Sequence, residues 1–213
     1  MLRTFSRPVP LVLALAFFTF IPVLTAMVDT VLIPTGTYPQ DSAHLAVAPI
    51  SWFLHVLAGV AFGICGPMNF VLALRRRFGR LHRVTGRIFF ASALVLGLSA
   101  LSLLLSVEPQ RTPVADIARG VFGLALLVAV AKAIAAIRRR DIQGHRAWVI
   151  RAYAVGMGLG TVSLVFFPIY LVTGAPPTGL ASDILFVASW SLNIGFAEWV
   201  IHRISPPIPR VPA

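Results

Sequence analysis

The sequence predicts an all-α integral membrane protein: six transmembrane helices with the N- and C-termini both cytoplasmic. Three observations carry that expectation. Only 12% of the 213 residues are charged while 58% are hydrophobic, against roughly 25% charged in a soluble domain. Six apolar runs each approach the ~20 residues needed to cross ~30 Å of hydrocarbon. The basic residues gather at alternate ends of those runs. So few charges would leave a water-soluble globule of this size uncovered. A single membrane domain over residues 1–204 therefore fills the length, and the mean hydropathy of +0.88 agrees.

The runs follow one another with breakers between them. The first, 9–33, is preceded by Arg3 and Arg7 in the manner of a signal peptide. Its apolar stretch is too long for that and no small-x-small cleavage site follows, so it reads as a retained helix. PTGTYPQDS (34–42) ends it. The second run, 48–74, contains GVAFG (59–63) and GICGP (63–67), and Pro67 predicts a kink. The third, 88–107, ends at EPQRTP (108–113) and the fourth spans 114–137. The fifth, 147–173, carries GMGLG (156–160) and stops at TGAPPTG (173–179). The sixth covers 181–202, and the tail SPPIPRVPA (205–213) is expected to be extended and polyproline-like. Both glycine pairs have the i, i+4 spacing that lets helix backbones approach closely in lipid, with internal packing favoured over dimerisation.

Orientation follows from the charges. With the N-terminus inside, 16 of the 18 Lys+Arg residues fall on the cytoplasmic side and only Arg111 and Arg119 on the other. Five of the seven acidic residues fall outside. A net charge of +11 would suggest nucleic acid in a soluble protein, but here the arginines border apolar segments and no nucleic-acid partner is expected. Cys65 is the only cysteine and sits in an apolar run. It reads as a small buried hydrophobe, with no intrachain disulfide to form.

Two stretches echo each other. RRRFGRLHR (75–83) and RRRDIQGHR (138–146) each place three arginines ahead of a His-Arg pair at the same spacing. Duplication of a helix pair, spans two–three and four–five, would account for this. Positive-inside selection alone would account for the arginines. It requires no imidazole at the matched positions of His82 and His145.

Ionisable groups inside hydrocarbon need partners or a purpose. His55 lies seven residues into the second span, Asn193 near the middle of the sixth, and Glu198 near its inner end with His202 one turn on. Arg87 and Arg151 sit at a depth similar to Glu198. In a structural reading Glu198 pairs with Arg87 or Arg151, while Arg83 and Arg146 grip lipid phosphates. In a redox reading His82 and His145 hold a haem b iron axially, His55 is a further candidate ligand, and Arg83, Arg87, Arg146 and Arg151 face the propionates. That plan is incomplete, because His55 meets no histidine in the fourth span. In a carrier reading His55, Asn193 and Glu198 share one cavity for a proton or small solute. HExxH, CxxC, a phosphate-cradling glycine loop and a serine elbow are all absent from the sequence.

Taken in order, His55, GPMNF (66–70), HRVTGR (82–87), HRAWVIRAYA (145–154) and NIGFAEW (193–199) resemble the bacterial membrane-protein family catalogued as domain of unknown function 2306. The resemblance covers about His55 to Glu198. It implies a multi-pass protein of the bacterial inner membrane in which His55, His82, Arg83, Arg87, His145, Arg146, Trp148, Arg151, Asn193 and Glu198 form a shared constellation. Val149 stands where a methionine is usual, and Ser163 roughly where a further arginine is common. The family supplies no reaction. The expectation is thus a non-catalytic membrane subunit or scaffold, packing with other membrane proteins or anionic lipid through a cytoplasmic-face His/Arg/Glu cluster. The haem protein is the alternative and the carrier comes third.

Overall fold

The computed structural model describes residues 8–38, 42–107 and 113–204, and among these every regular element is helical. Eight α-helices follow in order: α1 (Pro8–Leu32), α2 (Pro49–Asn69), α3 (Leu72–Arg77), α4 (Gly79–Ser106), α5 (Pro113–Arg138), α6 (Ile142–Gly156), α7 (Gly158–Thr173) and α8 (Gly179–Ile204). Two short 3-10 turns, Ile33–Thr35 and Ala43–Val47, lie between α1 and α2. Five stretches are long and apolar enough to cross a membrane: α2, α4, α5, α6 with α7, and α8. The first expected span is helical as α1, a helix of 25 residues. The expected tail, 205–213, lies outside the described residues, as does most of EPQRTP.

Local chemistry explains where the helices start and stop. Pro49 opens α2 and Pro113 opens α5, at positions where the missing N–H costs nothing. Asp116 stands in the first turn of α5, where the helix dipole favours an anion. The turn after α5 closes with Asp141 N–H on the Ala136 carbonyl and Arg140 N–H on that of Ile137. This is the Schellman pattern, with Arg140 at φ 61 where glycine is usual. Asp141 then caps α6, its carboxylate accepting from the Gly144 N–H at 2.8 Å.

Two expectations are corrected. The second run was expected to stay helical to 74 with a kink at Pro67; instead α2 ends at Asn69, and Val71 is extended before α3 begins. Pro67 removes a backbone donor in the last turn, and the Asn69 side chain donates to the Cys65 carbonyl at 2.7 Å, offering that group an alternative to further helix. The fifth run was expected to be one helix, yet it is interrupted at Met157, which has φ −89 and ψ 5. Glycines on both sides lower helix propensity there, and α8 satisfies the carbonyls that the interruption frees.

The core is a stack of rings set into glycine surfaces. Phe62 of α2 stacks on Phe89 of α4 at 4.8 Å between centroids and on Tyr153 of α6 at 5.8 Å. Phe70 meets Tyr153 edge-on at 5.2 Å. A Cβ at Gly156 would collide with the Phe62 ring, one at Gly66 with Tyr153, and one at Gly63 with Val23 of α1. The glycine spacings therefore serve contacts inside the bundle. The Tyr153 hydroxyl is buried with no hydrogen-bond partner among the described residues. Tyr153→Phe is accordingly expected to leave stability unchanged or raise it by about 1 kcal/mol, because it removes an unsatisfied polar group. Denaturation in mixed micelles would measure this.

Candidate functional site

The basic loops and the end of α8 meet at one end of the bundle, called the basic end here. His82 and His145 occupy equivalent backbone positions. The His82 N–H bonds the Phe78 carbonyl at 3.1 Å and the His145 N–H bonds the Asp141 carbonyl at 2.9 Å, each closing the first turn of its helix on the residue before it. The echo seen in the sequence is thus repeated in local geometry. His145 Nδ1 lies 3.0 Å from the Ala133 carbonyl of α5. A carbonyl only accepts, so Nδ1 carries a proton. The His145 ring also packs on Phe90 at 5.9 Å. His82 Nδ1 is buried without a partner among the described residues, and the charges of Arg75 and Arg83 reach its ring.

Glu198 is held by Arg151. Nε to Oε1 is 2.6 Å and Nη2 to Oε2 is 2.8 Å, a two-point pair joining α6 to α8. The guanidinium also lies over the Trp148 ring, 4.6 Å from its centroid. Trp148 is one helical turn before Arg151, so HRAWVIR builds both the donor and the surface beneath it. Of the two arginines considered for Glu198, Arg87 is not the partner: it is exposed on α4. Arg83, Arg87 and Arg146 are all exposed and have no ion pair among the described residues.

Asn193 repairs the interruption between α6 and α7. Its Nδ2 donates to the Ala154 carbonyl at 3.3 Å, and its Oδ1 accepts from the Thr161 hydroxyl at 2.8 Å. One turn earlier on α8, Trp190 Nε1 donates to the Val155 carbonyl at 2.8 Å. The side chains of α8 thereby stand in for the helical N–H groups that the interruption removes. Sequence reasoning marked Asn193 but missed Trp190 and Thr161. Trp190 and Asn193 are three apart, a spacing that puts both on one face of α8.

His55 lies elsewhere. It sits in the half of the bundle distal to the basic loops, its Nδ1 3.1 Å from the Ser99 hydroxyl of α4. It lines a cavity of about 1000 Å³ bounded by α1, α2 and α4 to α8, together with Trp52, Phe62, Arg119 and Trp190. Asn193 and Glu198 are not among its lining residues, so this cavity does not join the three groups that a carrier was expected to bring together. At its distal end Arg119 pairs with Asp116 at 3.1 Å and lies over the Phe186 ring. The sequence reading used Arg119 only as an outside charge, although the i, i+3 spacing of Asp116 and Arg119 was visible. Among the described residues no three of His, Cys, Asp or Glu gather in a group that could hold a metal ion. His82 and His145 lie at the same end of the bundle, and His55 does not join them.

A family model described as "Predicted membrane protein (DUF2306)" matches residues 52–201 of the chain. No curated protein and no solved structure matches it.

Proposed function

The chain belongs to the DUF2306 family of predicted membrane proteins, and from that premise we propose a non-catalytic subunit or scaffold of the bacterial cytoplasmic membrane. It spans the bilayer six times, α1 being the first span, with both termini inside. The observation that carries this reading is the two-point engagement of Glu198 by Arg151. The carboxylate that proton chemistry at the basic end would use is committed to tying α6 to α8. Around it, exposed Arg83, Arg87 and Arg146 supply planar donors for lipid phosphates or for acidic groups of a partner. The excess of 16 out of 18 basic residues on one side supports placing that side in the cytoplasm.

Gentle detergent extraction tests the role. A partner membrane protein should be recovered in fixed stoichiometry, and replacing Arg83, Arg87 and Arg146 together with glutamine should reduce its recovery. A monodisperse lone monomer after the mildest extraction contradicts the subunit reading.

One observation favours a second reading. His82 Nδ1 is an orphaned buried nitrogen at the same end of the bundle as His145, whose Nδ1 is engaged by the Ala133 carbonyl. A ring nitrogen left free while the other donates to a carbonyl is the arrangement of metal-bound histidines. His82 and His145 would hold the iron of a haem b, with Arg83, Arg87 and Arg146 beside the propionates. Arg151 is less available, being committed to Glu198. A bound haem would supply one-electron chemistry. Protein purified from haem-replete cells would then show a Soret band that shifts on dithionite reduction and disappears in the His82→Ala, His145→Ala variant. Colourless protein contradicts this second reading.

A further inference from the structure

The distal cavity is walled by rings and by charge, and both bear on what it can hold. Its volume of about 1000 Å³ stands at the upper end of the roughly 300–1,000 Å³ of small-molecule sites. Gly59, Gly97, Gly123, Gly156 and Gly160 form part of the wall, so space opens where side chains are missing. Trp52, Phe62, Phe122, Phe186 and Trp190 supply ring surface. The interruption at Met157 borders the same space, in keeping with non-helical backbone at membrane depth lying against a cavity.

Three aspartates line the cavity, Asp29, Asp116 and Asp183. Each lies within about one turn of the distal end of its helix, α1, α5 and α8 respectively. Among the described residues Arg119 is the only arginine of the wall, and the sequence puts one further arginine, Arg111, at this end. Two guanidiniums at most therefore face three carboxylates, and the wall keeps a negative charge however each carboxylate is hydrogen-bonded. The hydroxyls of Thr19, Thr25 and Ser182 and the imidazoles of His44 and His55 also belong to lining residues, and all are formally uncharged at pH 7. Uncompensated charge beside hydrocarbon is costly, so an occupant that brings positive charge is favoured.

Arg119 shows how this wall holds a cation. Its guanidinium pairs with Asp116 at 3.1 Å and lies over the Phe186 ring, 5.5 Å from the centroid. A carboxylate and a ring thus share one positive charge. A bare inorganic ion is a poor match for the remaining space, because it needs several ligands gathered at about 2.0–2.6 Å. No three of His, Cys, Asp or Glu gather in that way among the described residues. Carboxylates spread over three helices suit a cation whose charge is itself spread.

We propose that this cavity is a binding site for a bulky organic cation, an onium ion whose charge lies beneath apolar or aromatic groups. The aspartates select the sign of the charge, and the rings of Trp52, Phe122, Phe186 and Trp190 receive the groups that cover it. The site is independent of the basic end and of the role proposed for it.

Methyltriphenylphosphonium and triphenylphosphine oxide make the test, because they share three phenyl rings and differ in charge. The full chain is placed in phosphatidylcholine nanodiscs at about pH 8, above the ordinary histidine range. Intrinsic fluorescence is followed, with Trp52 and Trp190 in the cavity wall as reporters. The phosphonium should give a saturable change beyond that of protein-free nanodiscs, and the neutral oxide should bind about ten-fold more weakly. Asp29→Asn with Asp183→Asn should cut that preference to about two-fold or less. Ala100→Phe, which fills the chamber from α4, should remove saturable binding of both. Equal affinity of cation and oxide in the unaltered protein overturns the charge assignment without needing any variant to fold. A signal that only tracks partition into empty nanodiscs overturns the site itself. Either failure leaves the reading of the basic end untouched, since Glu198 and Arg151 do not line this cavity.

Discussion

Gly158→Leu is expected to destabilise the protein by about 3 kcal/mol or more, or to prevent its accumulation in the membrane. A Cβ at position 158 would occupy the place of the Trp190 indole. That ring cannot yield cheaply, because it stacks on Phe122 at 4.8 Å and its Nε1 donates to the Val155 carbonyl. The cost combines overpacking, about 1–3 kcal/mol, with a buried acceptor left unmet, about 1–3 kcal/mol. SDS titration in mixed micelles, read by circular dichroism, measures it. A stability within about 0.5 kcal/mol of the unaltered protein would show that α8 does not seat on this glycine. Gly195→Ala is the internal control: a Cβ there meets nothing within 4 Å, so little change is expected.

The ion pair at the basic end gives the second large effect. Glu198→Ala and Arg151→Ala should each cost about 2 kcal/mol. That lies above the roughly 0–1 kcal/mol of exposed pairs and below the roughly 3–5 kcal/mol for breaking a fully buried one. The intermediate figure follows from side chains that are 28% and 35% exposed in the isolated bundle yet bonded at two points. The double variant should lose clearly less than the sum, because each single change strands a charge near hydrocarbon and the double strands none. Strict additivity in the same titration would mean that the two groups do not act as a unit. Arg151→Lys is not an adequate replacement, since a single ammonium can neither make both bonds nor lie flat on Trp148.

What was legible in the sequence depended on range. Apolar length and breaker residues located five spans, because hydrocarbon thickness sets a threshold that composition alone reports. The runs 114–137 and 181–202 match within about two residues, whereas 48–74 overran the end of α2 and 88–107 began well inside α4. The engagement of Glu198 was narrowed to two arginines by depth. Depth along an axis says nothing about which face of α4 or α6 points inward, and that is what separated Arg87 from Arg151. The interruption at Met157 was hidden for a different reason. A glycine pair at i, i+4 reads as a packing surface in a continuous helix, and the same residues also permit the helix to part when a neighbour offers substitute donors. Those donors, Trp190 and Asn193, are more than thirty residues away. Likewise no sequence pattern announces a cavity, because it is bounded by residues from seven helices whose common feature is what they lack.

The histidines illustrate the same limit. Their matched spacing was plain in the sequence, and the matched first-turn hydrogen bonds follow from it. Their side-chain environments differ all the same. His145 meets the Ala133 carbonyl from the end of α5, while His82 Nδ1 meets no partner among the described residues. The helix ahead of each accounts for this: α5 runs straight to Arg138, whereas α2 stops at Asn69 and α3 intervenes before His82.

The proposed grip of the arginines on anionic headgroups and the proposed role of Glu198 both presuppose that the basic end faces the cytoplasm. Single-cysteine labelling in a Cys65→Ser background tests this directly. Arg139→Cys, in the exposed turn between α5 and α6, and Thr178→Cys, exposed between α7 and α8, report opposite ends of the bundle. The account predicts that a membrane-impermeant maleimide modifies position 178 in spheroplasts, and position 139 only in inverted vesicles. Modification of position 139 in intact spheroplasts, or of both positions from the same side, would contradict it.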